Sequence, residues 1–205
     1  VHNLNNPTHA LAMQSELLAN AARKGGMEPE KLLAKCERLK HVSEDLKSQL
    51  DVLSWRNAYA SSTAELLDPI HFTGWFLQFW LNNLFFKHSI TVDLETDPPP
   101  PHVKIIPVAL LWILEEPLYA MTRAFCAQQP PPELGMRFET KGLDQDGVFI
   151  SLLVTPATQY GSFPRIVMEH EESIRKLAFD LGWEWQCSGD QSMFSVQARL
   201  PKGRT

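Results

Sequence analysis

Residues 32–53 read LLAKCERLKHVSEDLKSQLDVL, and their apolar side chains recur at intervals of four and three residues. This heptad spacing predicts a long helix with one apolar face, of the kind that packs lengthwise against other helices. Glu28-Pro29-Glu30 places a proline and two acids where such a helix begins. We call the apolar face the heptad seam; it comprises Leu32, Cys36, Leu39, Ser43, Leu46, Leu50 and Leu53.

Another helical run precedes the seam, and Gly25-Gly26 separates the two. A short glycine break between long helices predicts an antiparallel hairpin. One hairpin leaves part of its apolar surface uncovered, whereas two hairpins bury it by forming a four-helix bundle. The sequence therefore predicts a long helical hairpin over residues 1–62 and a homodimer built on a four-helix bundle.

The first helix carries a polar face opposite its apolar one. At about 100° per residue, Leu4, Leu11 and Leu18 fall on the side away from His2. A lone histidine is ordinarily either packed or solvated, and this placement rules out a packed His2 but not a solvated one. We call the exposed face the histidine stripe; it comprises His2, Asn6, His9, Met13, Glu16 and Asn20.

Residues 63–205 have the pattern of a mixed α/β domain. Helices are predicted over 71–86, 107–126 (interrupted by Pro117) and 165–182, and strands over 89–95, 135–142, 147–154, 183–188 and 193–200. This order predicts an α/β sandwich with helices on one face of a mostly antiparallel sheet. The predicted fold class is therefore α+β, with a helical domain at 1–62 and an α/β domain at 63–205.

Composition excludes several functional classes. The net charge of −5 disfavours direct nucleic-acid binding. No apolar run reaches the roughly 18 residues of a membrane span. The three cysteines, Cys36, Cys126 and Cys187, form no CxxC pair, so we expect neither a disulfide framework nor a metal site. A reducing cytoplasm is the expected location.

His2-Asn3-Leu4-Asn5-Asn6-Pro7 resembles the phospho-acceptor box of the sensor histidine kinases. The hairpin, the order of the α/β elements and the closing FSVQARLP are similar to the same family. The resemblance implies a dimerisation and phosphotransfer domain followed by an ATP-binding domain. It implies that His2 is the phospho-acceptor and that Asn6 lies beside it in a supporting role.

The chain departs from that family at positions that carry its chemistry. The residue after the histidine is acidic in the family and acts as a base, whereas Asn3 cannot accept a proton. The family's magnesium-binding asparagines align with Glu116 and Ala120, and its adenine-binding aspartate with Thr155-Pro156-Ala157. Gly161 alone remains near the phosphate-binding glycine turn, and three acids follow it: Glu169, Glu171 and Glu172. We therefore expect that the chain binds no ATP and no other cofactor.

These features favour a dimeric histidine phosphotransfer protein, similar to the bacterial phosphotransferases that descend from kinases. Its partners would be the receiver domains of response regulators, which hold the magnesium ion themselves. Asn3, His9, Met13 and Glu16 would contact the receiver. Three alternatives stay open: a pseudokinase scaffold that docks or sequesters a regulator or a kinase, a response-regulator phosphatase that uses Asn6, and an active kinase.

Overall fold

The computed structural model describes residues 2–25, 28–128, 132–143, 147–157, 164–190 and 192–201, with the side chains of 2–7, 24 and 84 excepted. The chain forms two compact units, Val1–Arg56 and Asn57–Thr205. The second unit thus begins before the boundary expected after residue 62. The carbonyl oxygen of Ser61 already accepts a hydrogen bond from the N–H of Val108, at 3.2 Å.

The first unit contains the two expected helices, α1 (His2–Lys24) and α2 (Pro29–Ala58). Gly25 ends α1 with a φ of +66°, a left-handed conformation that glycine adopts without steric cost. Half-buried positions follow a three-and-four spacing along α1, at Leu11, Gln14, Leu18 and Ala21.

Within the heptad seam, burial divides the residues into two sets. Leu39 and Leu46 of the seam are half-buried. Val42 and Gln49, which lie beside the seam, are half-buried as well. The other seam residues are exposed: Leu32, Cys36, Ser43, Leu50 and Leu53. The helices are confirmed, whereas the antiparallel hairpin, the four-helix bundle and the homodimer remain predictions.

The helix expected over 71–86 is divided in two. Helix α3 spans Pro69–Leu81, and the Asp68 side chain caps it by accepting from the N–H groups of Ile70 and His71 at 2.9 and 3.3 Å. A new helix, α4 (Leu84–Ser89), begins after Asn83, whose side chain accepts from the N–H of Phe85 at 2.9 Å. Asparagine favours a cap over a helix interior, which explains the division.

A five-stranded sheet, in the order β2-β4-β5-β7-β6, forms the centre of the second unit. Its strands are β2 (Ile90–Glu95), β4 (Leu134–Gly142), β5 (Val148–Pro156), β6 (Glu184–Gly189) and β7 (Phe194–Leu200). The pair β2–β4 is parallel and the other three pairs are antiparallel. Two short strands were not predicted, β1 (Glu65–Leu67) and β3 (Val103–Ile105), which pair with each other.

Side chains alternate between buried and more exposed along β4 and β7, so one face of the sheet is covered. The core on that face is rich in aromatic rings, and Phe76 of α3 packs on Phe138 of β4 with 5.9 Å between the ring centroids. Beside them the buried hydroxyls of Thr73 and Thr140 bond each other at 2.9 Å. The predicted α/β sandwich is confirmed.

Helix α5 (Pro107–Cys126) is continuous, so the predicted interruption at Pro117 is wrong. A proline inside a helix removes one N–H donor and leaves the carbonyl four residues earlier without its helical partner. That carbonyl belongs to Ile113, and the indole N–H of Trp185 in β6 donates to it at 3.3 Å. The sheet therefore supplies the hydrogen bond that the proline withholds, and the helix continues through it.

Helix α6 (Glu171–Asp180) is shorter than the 165–182 expected from sequence. Residues 164–168, which the sequence places in this helix, have no regular secondary structure. Glu171 and Glu172 occupy the first turn of α6, where acids favour a helix start. Tertiary contacts of the segment before α6, described below, outweigh its helical pattern.

Candidate functional site

The histidine stripe is exposed wherever the structure describes its side chains. His9, Glu16 and Asn20 are exposed, and Met13 keeps 55% of its surface accessible. The side chains of His2, Asn3 and Asn6 lie outside the described residues, although their backbone belongs to α1. The predicted exposure of His9, Met13 and Glu16 is thus confirmed, and the role of the stripe in binding stays a prediction.

A carboxylate–guanidinium cluster occupies the α5 positions where the resemblance predicts a nucleotide site. Glu116 is 8% exposed, and its Oε1 accepts from the backbone N–H of Glu169 at 3.0 Å. The guanidinium of Arg123 lies 3.6 Å from the same Oε1 and bonds Oε2 of Glu169 at 3.1 Å. We call these three residues the α5 cluster, and it joins α5 directly to the segment before α6.

The structure describes two further positions that the resemblance aligns with the family's nucleotide-binding residues, Ala120 and Thr155. Ala120 is 2% exposed and offers no polar atom. Strand β5 ends at Pro156, and the N–H of Ala157 donates to the carbonyl of Glu133 at 2.9 Å. The resemblance aligns Thr155 with the family's aspartate, and Gly161 lies outside the described residues.

The acids that follow differ in their environments. Glu169 belongs to the α5 cluster, and Glu171 pairs with Arg175 one turn later at 2.6 Å. Glu172 is exposed. The ring of His170 lies 6.3 Å from that of Trp112 on α5, which adds a second contact between this segment and the helix.

Sequence reasoning did not identify the contributions of Arg123 and Trp112. Trp112 lies about one turn before Glu116 on α5 and Arg123 about two turns after it, so all three share one helix face. The signal available in the sequence was a basic residue seven positions after an acidic one in a largely apolar helix. Across the described ranges, no group of three or more His, Cys, Asp or Glu side chains is arranged to hold a metal ion.

None of the described helices combines the length and the apolar character that a membrane span requires. No protein-family model matches the chain. No curated protein matches it either. The family resemblance therefore depends on comparison with solved structures.

Solved structures of histidine kinases resemble the chain at low sequence identity. The catalytic domain of histidine kinase ThkA matches at 12% identity and a TM-score of 0.51, covering 68% of this chain and 95% of that domain. The Acinetobacter baumannii histidine kinase AdeS matches at 14% identity and a TM-score of 0.50, covering 100% of this chain and 99% of its own. ThkA in complex with the response regulator protein TrrA matches at 11% identity and a TM-score of 0.51. The match covers 98% of this chain and 59% of that chain. At these identities the comparisons establish the fold, and this chain has the fold of the histidine kinases, as its sequence predicted.

Proposed function

We propose that this chain is a cytoplasmic, homodimeric histidine phosphotransfer protein that passes phosphoryl groups between the receiver domains of response regulators. His2 accepts the group and returns it, and the chain does not use ATP. Magnesium is held by the receiver. Asn6, one helical turn after His2, supports the reaction.

The α5 cluster is the observation that carries the proposal. An ATP-dependent kinase needs a nucleotide and a magnesium ion beside this helix. Here the buried Glu116 carboxylate is already engaged by Arg123 and by the N–H of Glu169. A triphosphate entering this region would meet two carboxylates, Glu116 and Glu169, against the single guanidinium of Arg123. Glu116 is buried, so water screens its repulsion of phosphate only weakly. Phosphoryl transfer from a protein donor requires none of this machinery.

The exposed stripe on α1 supports a protein partner. His9, Met13 and Glu16 present an imidazole, a thioether and a carboxylate on one face of the helix. A flexible apolar side chain with polar neighbours is the composition of a docking centre with a rim. Among proteins of this fold, ThkA has been solved in complex with the response regulator TrrA, and by analogy we assign a receiver domain as the partner here.

The proposed chemistry balances without a further reactant. A ring nitrogen of His2 donates its lone pair to the phosphorus of an aspartyl phosphate. The bond between phosphorus and the aspartate oxygen breaks, and the carboxylate leaves with the electron pair. The reverse step loads the next receiver. Positioning and the receiver's magnesium lower the barrier, so the histidine protein needs little catalytic apparatus of its own.

A second candidate function is a pseudokinase scaffold, and Asn3 favours it. An amide cannot take the proton that an acidic neighbour would take from the imidazole. Such a scaffold docks a regulator or a kinase through the same stripe and carries no phosphoryl group. A third candidate is a response-regulator phosphatase in which Asn6 positions a water molecule and His2 is dispensable.

Incubation with phosphorylated receiver domains distinguishes the three functions. The phosphotransfer proposal predicts acid-labile, base-stable label on this chain, lost in His2→Ala and retained in the matched variant His88→Ala, which removes an exposed histidine of the second unit. Receiver binding without label on the chain would establish the scaffold instead. Accelerated release of inorganic phosphate, unchanged in His2→Ala, would establish the phosphatase.

A further inference from the structure

A cleft of about 530 Å³ opens between the irregular segment 164–168 and the hairpin formed by β6 and β7. This volume lies within the range of sites that bind small molecules. None of the α5 cluster residues lines it, so the cleft is separate from the site described above. Its lining includes Arg165, Ile166, Met168, Cys187, Asp190 and Phe194.

One wall of the cleft is the covered face of the sheet. Gly189 of β6 pairs with Phe194 of β7, whose side chain is 2% exposed. Cys187 pairs with the buried Val196, and directly paired residues of neighbouring strands point to the same face. A Cβ at Gly189 would lie 3.2 Å from Cδ2 of the Phe194 ring, so the absence of a side chain lets this ring lie against the strand. The cleft therefore lies between the sheet and the segment that leads into α6.

Two opposite charges on the lining lack an ionic partner. Arg165 is exposed and makes no ion pair or hydrogen bond with any residue that the structure describes. Oδ1 of Asp190 accepts from the hydroxyl and the N–H of Ser192, both at 2.7 Å, and from the N–H of Met193 at 3.0 Å. These bonds lower the pKa of Asp190, so its carboxyl group is ionised at neutral pH. Its Oδ2 has no partner among the described residues.

The overall charge of the lining favours a ligand that is itself neutral overall. The third charged lining residue, Glu171, is paired with Arg175 at 2.6 Å, so its carboxylate is already compensated. One guanidinium and one carboxylate remain. An anionic ligand would be repelled by Asp190 and a cationic ligand by Arg165, whereas a zwitterion is attracted by both. A guanidinium binds a carboxylate by two parallel hydrogen bonds, and a carboxylate oxygen accepts from an ammonium group.

The remaining lining suits an apolar group. The segment contributes the half-buried side chains of Ile166 and Met168, and the sheet contributes Phe194. Burial raises the pKa of the Cys187 thiol to about 12, so this side chain is neutral at physiological pH. An apolar side chain inserted here would contact carbon and sulfur atoms and leave no charge desolvated.

We propose that this cleft binds a free α-amino acid with a large apolar side chain. The carboxylate of the ligand binds the guanidinium of Arg165, and its ammonium group donates to Oδ2 of Asp190. The side chain of the ligand contacts the apolar lining. This site belongs to the α/β unit and needs neither His2 nor a receiver domain, so it is independent of the proposed phosphoryl transfer.

Saturation-transfer NMR on the unaltered full chain tests the proposal with leucine and two analogues that each lack one charge. 3-Methylbutylamine has the carbon chain of leucine without the carboxylate, and 4-methylpentanoate has it without the ammonium group. Titrations give the three dissociation constants. Leucine should bind at least about tenfold more tightly than either analogue, because each analogue loses one charge-assisted contact.

Two variants assign each ligand charge to one residue. Arg165→Gln should weaken the binding of leucine and 4-methylpentanoate at least about tenfold and leave that of the amine unchanged. Asp190→Asn should weaken the binding of leucine and the amine instead, and its amide oxygen still accepts the bonds that Oδ1 accepts now. Lys176→Gln and Asp180→Asn are the matched controls, because they remove the same charges at exposed positions of α6 outside the lining.

Three results would each overturn the proposal. The first is the absence of saturation transfer from the chain to leucine at about 10 mM ligand. The second is an analogue that binds as tightly as leucine, which would make the ligand a simple acid or a simple amine. The third is unchanged leucine binding in Arg165→Gln or in Asp190→Asn. The comparison of the three ligands uses the unaltered chain, so it decides the question even where a variant is destabilised.

Discussion

The indole N–H of Trp185 donates to the carbonyl oxygen of Ile113 at 3.3 Å, and both groups are buried. Ile113 lies four residues before Pro117, which has no N–H to offer it. A strand residue thereby completes the hydrogen bonding of a helix 72 positions away in sequence. This bond joins β6 to α5, the helix that carries the α5 cluster.

Replacement of Trp185 by Phe should destabilise the second unit by about 1–3 kcal/mol, because the buried Ile113 carbonyl loses its partner. The cost should shrink in a Pro117→Ala background, where the restored N–H bonds the same carbonyl. Urea unfolding followed by tryptophan fluorescence measures both. Equal costs in the two backgrounds would show that the ring's packing, and not its hydrogen bond, is what stabilises the fold.

ATP and its non-hydrolysable analogues should give no binding heat with the intact chain at protein concentrations of tens of micromolar. The expectation follows from the carboxylates of the α5 cluster and from the buried Ala120. The ThkA catalytic domain, titrated in parallel, serves as the reference protein. A micromolar dissociation constant for this chain would restore the kinase alternative.

Leu50→Asp should dissociate the proposed homodimer without unfolding the chain. Leu50 is 50% exposed in the single chain, so the carboxylate stays solvated in the monomer and is desolvated in a dimer that buries the heptad seam. Each buried leucine contributes about 1.5–3 kcal/mol, and two copies are lost. Light scattering should then report a monomer for Leu50→Asp and a dimer for Ser48→Asp, which adds the same charge at an exposed position off the seam. A dimer that survives Leu50→Asp would show that the seam is not the interface.

Met13→Asp should weaken the binding of a receiver domain by at least about tenfold, since an apolar contact worth about 1.5–3 kcal/mol becomes a charge. Ser15→Asp, an exposed position of α1 outside the histidine stripe, should leave binding nearly unchanged. Calorimetry compares the affinities of the two variants for one receiver domain. That domain is the one that binds the unaltered chain best or exchanges phosphoryl groups with it most rapidly. Equal effects of both substitutions would mean that the stripe is a solvated face and no docking surface.

Iodoacetamide at pH 8 should modify Cys187 at least about a hundredfold more slowly than the exposed Cys36 and Cys126. Burial and, to a smaller extent, the charge of Glu171 raise the pKa of Cys187 to about 12, against the opposing charge of Arg175. The thiolate is the reactive form. Peptide mass spectrometry of quenched samples gives the three rates. Modification of Cys187 as rapid as that of Cys126 would contradict the burial.

The raised pKa of Cys187 also makes the stability of the fold depend on pH. The folded-state pKa of Cys187 lies above the value of 9.0 for an unperturbed thiol. The unfolded chain therefore loses this proton first as the pH rises through 9, and the free energy of unfolding should fall between pH 9 and 12. In Cys187→Ser, the part of this decrease in the free energy of unfolding that is due to the thiol should disappear. An unchanged pH profile in Cys187→Ser would assign the loss to other groups, such as Tyr59, whose pKa burial and the charge of Asp68 raise to about 12.

The sequence by itself determined the features that depend on local periodicity. The heptad spacing produced two long helices, and the alternation of apolar side chains produced the strands β2, β4, β5, β6 and β7. The box around His2, together with the order of elements, was sufficient to predict the histidine kinase fold. These patterns are readable because the positions that contact one layer of the core recur with the period of the helix or the strand.

The tertiary structure decided what depends on residues distant in sequence. Helix α5 continues through Pro117 because Trp185 of β6 reaches the carbonyl of Ile113. Helix α6 begins late because the segment before it bonds Glu116 and Arg123 on α5, 53 and 46 positions away from Glu169. Local propensity contributes tenths of a kcal/mol to about 1 kcal/mol per residue, so one buried hydrogen bond or ion pair from a distant element outweighs it.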